Sequence, residues 1–204
     1  MPDKYQSFVE LARDAPPDRW RVVSREVARS SVLVIAPHGG AIEIGTSELA
    51  AAIAGAHHSL YCFEGLRECT FRELHVTSHR FDDPMALRLA GRSAIVIGIH
   101  GCKGRGAIFV GGRDRALARL LSDSLLAAGY PAQSENHSFP ALHPENICNR
   151  SSRGVGVQLE FTLDLRTSEL RGSIACCVRE AVDLYCRQLA AQVGTPAGVR
   201  GARL

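Results

Sequence analysis

The 204 residues are 46% hydrophobic and 22% charged, with a formal net charge of +3. That balance suits a soluble globular protein large enough for one real core. No apolar stretch reaches the ~18 residues of a membrane span, and the opening MPDKYQSFVELARD lacks the basic segment and apolar core of a secretory signal. Seven cysteines, an odd number with no CxxC pair, do not read as a disulfide framework or a structural zinc site.

These features predict one domain across residues 1–204, with about 195–204 as a flexible tail. They also predict synthesis for the cytosol, although release by cell lysis would leave no mark in the sequence. All but two of the 24 basic residues are arginine, whose planar guanidinium offers bidentate donors to carboxylates. The arginines are dispersed, without the basic, aromatic-interleaved stripe of a nucleic-acid binder. A homo-oligomer is left open.

In chain order, Trp20–Val27 reads as an edge strand leading into Ser31–Ala36, whose Val32–Ala36 run is β-branched and aliphatic without polar alternation. Such a run suits a strand covered on both faces. It breaks on Pro-His-Gly-Gly. Thr46 or Ser47 then caps a helix to about Ala54, stopped by Gly55. His57 and His58 follow as surface residues, and Ser59–Phe63 is another short strand. Phe81-Asp82-Asp83-Pro84 starts a helix with an acidic cap and proline in its first turn, ending near Gly91. Ser93–Ile99 is a second apolar strand, which also runs into a histidine, His100. Ala107–Val110 is a strand closed by Gly111-Gly112, Asp114–Ala128 a helix, and Pro131–Glu135 a strand. His137–Gly154 is a long loop. Val155–Phe161 is a third buried strand carrying Glu160, and Arg171–Val193 a long terminal helix. The alternation predicts an α/β fold, a three-layer α/β/α arrangement on a mixed, mostly parallel sheet.

If the three apolar strands are parallel, their carboxyl ends bring His38, His100 and Glu160 to one edge, where open α/β sheets place ligands. Glu43 lies in the loop just after His38. Two imidazoles and a carboxylate are the protein ligands of many hydrolytic zinc sites, with a fourth position open for water. Glu160 is then available as a second carboxylate to move the proton. His75, in "ELHVTSHRF", is placed to touch substrate or to serve as a structural histidine. No P-loop and no GxSxG elbow is present.

"YQSFVELA", "VLVIAPHGGAIEIGTSELAAAIAG", "LYCFEGL", "LHVTS", "FDDP", "IGIHG", "VGG", "NICNR" and "GVGVQLEFT" together resemble, in this order, the poly-γ-glutamate hydrolase family of phages and bacteria. The resemblance implies a zinc-dependent amidohydrolase with a core like that of zinc carboxypeptidases, acting on an anionic γ-glutamyl polymer. It places one zinc per chain on His38, Glu43 and His100, and gives Glu160 the general-base role. Asn149, Arg150, Arg153 and Arg166 become candidates for holding substrate carboxylates or polarising the scissile carbonyl. The acidic ligand follows the first histidine by five positions rather than the three of the carboxypeptidase motif. A peptidoglycan amidase, or a relative that binds metal or polymer without catalysis, is the competing reading.

Overall fold

A computed structural model describes residues 3–66 and 71–194; the expected flexible tail falls outside them. Seven strands form one sheet: β1 (Trp20–Arg25), β2 (Val32–Gly40), β3 (Ser59–Gly65), β4 (Ile95–Cys102), β5 (Ile108–Gly112), β6 (Ala132–Gln133) and β7 (Val157–Thr162). Their order is β1-β3-β2-β4-β7-β5-β6. The four central strands β3, β2, β4 and β7 are mutually parallel, while β1 joins antiparallel at one edge and β5 runs antiparallel to β7. The mixed, mostly parallel sheet is as expected.

The helices are α1 (Phe8–Asp14), α2 (Thr46–Ala54), α3 (Phe71–Leu74), α4 (Pro84–Arg92), α5 (Arg115–Ala127), α6 (Leu163–Thr167) and α7 (Arg171–Gly194). Alternate residues of β2 enter different cores. Val32, Val34 and Ala36 pack with α2, α5 and α7, while Leu33 and Ile35 pack with α1 and α4 on the opposite face. That is why the β2 run shows no polar alternation. The proline and acid that mark α4 in the sequence act as expected, with Asp83 Oδ1 accepting from Met85 N–H at 2.6 Å and Ala86 N–H at 3.2 Å.

Several boundaries move. β2 runs through Gly40 and β4 through Cys102, so His38 and His100 lie inside strand ends rather than beyond them. The N-cap of α2 is Gly45, at φ 90°, and not a hydroxyl residue. Ser47 Oγ is instead engaged by Gly40 N–H at 3.1 Å. Of Pro131–Glu135 only Ala132 and Gln133 pair. His58 is buried, with Asp183 Oδ1 3.2 Å from its Nε2, which corrects its placement on the surface. α1, α3 and α6 were not foreseen.

β7 begins where Gly156 passes under the 147–149 turn. A Cβ there would lie 1.8 Å from Cys148 O and 2.8 Å from Val96 O, both backbone atoms. Overpacking of this kind costs roughly 1–3 kcal/mol or more. Gly156→Ala should therefore lower Tm by about 2–12 °C, given roughly 2–4 °C per kcal/mol at this size. An unchanged melting curve would show that the turn yields freely.

Candidate metal centre

β2 breaks its own pairing to present His38. Its register with β3 shifts between Ala36 and Gly39, and its pairing with β4 ends at Ile35. Pro37 has no N–H for a ladder, and a bulge re-aims the neighbouring side chain. Gly39 follows because a Cβ there would stand 2.2 Å from Ser47 Oγ and 2.9 Å from Phe63 O. The loop then closes on itself: Glu43 N–H donates to His38 O at 2.9 Å, and Thr46 Oγ1 donates to Glu43 O at 2.8 Å. Pro-His-Gly-Gly is thus a strand end shaped to hold His38 and Glu43 together.

His100 and Glu160 are direct register partners on the parallel strands β4 and β7. Both rise into a cavity of about 900 Å³ that His38, Glu43, His75 and Arg166 also line. His38 Nδ1 lies 3.1 Å from His100 Nδ1 and 3.4 Å from Glu43 Oε1, and His100 Nδ1 lies 3.9 Å from Glu43 Oε2. Zinc–ligand bonds of ~2.0–2.1 Å in a tetrahedron put neighbouring donors about 3.3 Å apart. The separations of 3.1 and 3.4 Å match that spacing, and the third, 3.9 Å to the other Glu43 oxygen, is longer.

Their outer partners agree. His38 Nε2 lies 2.8 Å from Val76 O, which can only accept, so Nε2 carries hydrogen and Nδ1 faces the cluster. Gly101 N–H donates to Glu43 Oε2 at 2.7 Å. Burial pushes the Glu43 carboxyl up, but His38 outweighs it and keeps Glu43 below its usual range. Burial likewise opposes a charge on His38, yet Glu43 holds its pKa above the ordinary value. Burial and neighbouring His38 drive His100 down to about 3. The cluster therefore keeps an anion and favours a positive charge beside it, as a cation site should.

His75 raises a second geometric set, because one ring nitrogen of His75 lies within 4.8 Å of ligand atoms of His38 and Glu43. Its ring, however, stacks on that of His38 at 29°, with centroids 4.1 Å apart. In-plane lone pairs of nearly parallel rings run side by side. His100 stands at 65° to His38, its Nδ1 directed at the cluster. Both sets share His38 and Glu43 and differ only in which second imidazole completes them.

Glu160 Oε1 accepts from Gln158 Nε2 at 2.9 Å. Burial first, and then Glu43, push its carboxyl up to about 8. Arg166 is pinned by backbone: Nε donates to Ile44 O at 2.6 Å and Nη1 to Phe161 O at 2.7 Å. Gly101 makes room for it, since a Cβ there would meet Arg166 Cζ at 2.6 Å.

A sequence profile of the poly-γ-glutamate hydrolase family matches residues 5–173. The chain belongs to that family. It is 41% identical over 169 residues to the UPF0714 protein YndL of Bacillus subtilis (strain 168), covering 81% of this chain and 66% of YndL, just under two thirds. A solved bacteriophage poly-γ-glutamate hydrolase superposes with a TM-score of 0.86 at 28% identity, covering 92% of this chain and all of that one. A structure of YndL described as apo and zinc-free gives 0.80 at 35% identity, covering 92% of this chain and 99% of that one. A putative carboxypeptidase A from Shewanella denitrificans OS-217, 11% identical, shares the fold at 0.50, covering 80% of this chain and 60% of that one. No helix among the described residues is long and apolar enough to cross a membrane.

Of the residues singled out in the sequence, His38, Glu43, His100, Glu160, His75 and Arg166 meet in one cavity. Three others do not line it. Asn149 spends its side chain on the surrounding loops, donating to Ala141 O at 2.8 Å and His143 O at 3.0 Å and accepting from Gly156 N–H at 3.1 Å. Arg150 pairs with Glu145. Arg153 reaches Asp114 Oδ2 at 2.7 Å and Tyr185 Oη at 3.3 Å, between α5 and α7. Asn146, also in "NICNR", does line the cavity and donates to Gln158 Oε1 at 3.0 Å. Its signal lay in β7, where Gln158 and Glu160 are polar residues two apart on one face of an otherwise apolar strand.

Proposed function

We propose that the protein is a zinc-dependent hydrolase of γ-glutamyl amide bonds in an anionic polymer, with one zinc per chain held by His38, Glu43 and His100. The observation that carries this reading is the convergence of those three donors, at 3.1–3.9 Å from one another, in a cavity that also holds Glu160. Bound there, the ion supplies Lewis-acid polarisation of a carbonyl oxygen and acidifies water. Glu160 takes the proton from the attacking water and returns it to the departing amine. Burial and Glu43 raise its carboxyl in the metal-free protein, and a bound cation would favour the carboxylate form that the base role needs. Arg166 supplies a fixed cation for a substrate carboxylate or the developing oxyanion, since backbone carbonyls hold it in place before substrate arrives.

Metal-replete protein offered poly-γ-glutamate, poly-α-glutamate and muropeptides should release new amino groups from the first alone. Turnover of muropeptides instead would make it a cell-wall amidase. Binding of the polymer without cleavage would leave it a binding relative.

A further inference from the structure

The segment 75–78 lies over both histidines of the centre. Val76 O takes the Nε2–H of His38 at 2.8 Å, and Ser78 Oγ stands 3.5 Å from His100 Nε2. His75 lies flat on His38, with Phe71 4.8 Å from its ring centroid as well. The segment sits between the four-residue α3 and one 3₁₀ turn at Ser78–Arg80. Outside a ladder, its shape must be fixed largely by side chains.

One side chain supplies three such bonds. Asp3 Oδ1 accepts from His75 Nδ1 at 2.7 Å, and Asp3 Oδ2 accepts from Thr77 N–H at 2.8 Å and from the Thr77 hydroxyl at 2.6 Å. The Asp3 side chain is 10% exposed. Burial pushes its carboxyl up, but Thr77 and His75 hold it below the usual range, so the bonds are charge-assisted. Asp3 itself does not line the cavity.

We propose that Asp3 is a positioning residue for the metal centre: its carboxylate locks segment 75–78, which in turn fixes the ring planes of His38 and His100 and the tautomer of His38. The inference rests on the metal reading above. With Nε2–H committed to Val76 O, His38 presents Nδ1 as its ligating lone pair. Partners outside the ligand shell that orient ligands in this way typically contribute about 10–100-fold in metal affinity.

The test is zinc affinity of the metal-free protein, measured by competition with a chromophoric chelator. It would be run on wild type, Asp3→Asn and Thr77→Val, with thermal melting of each in the metal-free state. Glu10→Gln is the control, because Glu10 accepts from Gln6 N–H in the same N-terminal stretch as Asp3 and does not touch segment 75–78 through that bond. Asp3→Asn should weaken zinc about 10–100-fold, and Thr77→Val should weaken it less. Glu10→Gln should match wild type. The visible absorption of the cobalt-loaded Asp3→Asn protein should also shift, which a loss of bulk stability alone would not cause. If Asp3→Asn does not fold, Thr77→Val decides. Wild-type zinc binding with unchanged affinity and an unchanged cobalt spectrum in the variants would overturn this proposal alone. A wild type that binds no zinc would overturn the metal reading, and this proposal with it.

Discussion

Glu160→Gln is expected to fold, keep its ion and bind polymer, yet turn over γ-glutamyl substrate about 10²–10⁴ times more slowly, the usual worth of a general acid–base group. The amide keeps the shape of the carboxylate but cannot accept the proton. Its environment makes a second readout available. Burial beside Glu43 raises the Glu160 pKa from 4.5 to about 8, so the folded metal-free protein binds that proton more tightly than the unfolded chain. The stability this contributes is present below about pH 4.5 and is lost as pH rises through about 8. Metal-free wild type should therefore lose more stability between pH 5 and pH 8 than metal-free Glu160→Gln. The comparison between the two proteins isolates Glu160, because the histidines contribute to both: His38, raised, adds a loss as pH rises, while His100, driven down to about 3, and the lowered His58 and His75 add a gain. Unimpaired turnover by Glu160→Gln would end the mechanism. Loss of the ion would make Glu160 a ligand.

The chain order of the sheet's central strands was legible because each is buried on both faces and so reads as an unbroken apolar run. The same burial explains why histidine and glutamate at the ends of β2, β4 and β7 stood out. What remained hidden was what three-dimensional packing decides. Asn149 and Asn146 stand three positions apart in one motif, yet only the fold shows that Asn149 secures loops while Asn146 reaches the cavity. Arg153 and Arg166 are equally plausible as anion donors in the sequence, but Asp114 claims the first and three backbone carbonyls hold the second over the site. Asp3 is about 70 positions from the residues it holds, so no local pattern could have announced it.

The ligand set itself is decided by comparing His100→Ala with His75→Ala. His100→Ala removes the donor whose Nδ1 lies 3.1 Å from His38 Nδ1 and 3.9 Å from Glu43 Oε2. It leaves two protein ligands, fewer than the three that catalytic zinc sites ordinarily use. Glu43 and Glu160 then also share one buried cavity with less to balance them. Zinc content after dialysis should fall from about one per chain to well below stoichiometric, and the double variant His38→Ala/His100→Ala should retain none. His75→Ala removes a ring stacked on His38 rather than one directed at the ion. It should bind zinc more weakly through the loosened segment 75–78, yet still reach one per chain at saturating metal. Metal analysis of the purified variants separates the two outcomes. Stoichiometric zinc in His100→Ala together with its loss in His75→Ala would move the centre to His38, Glu43 and His75.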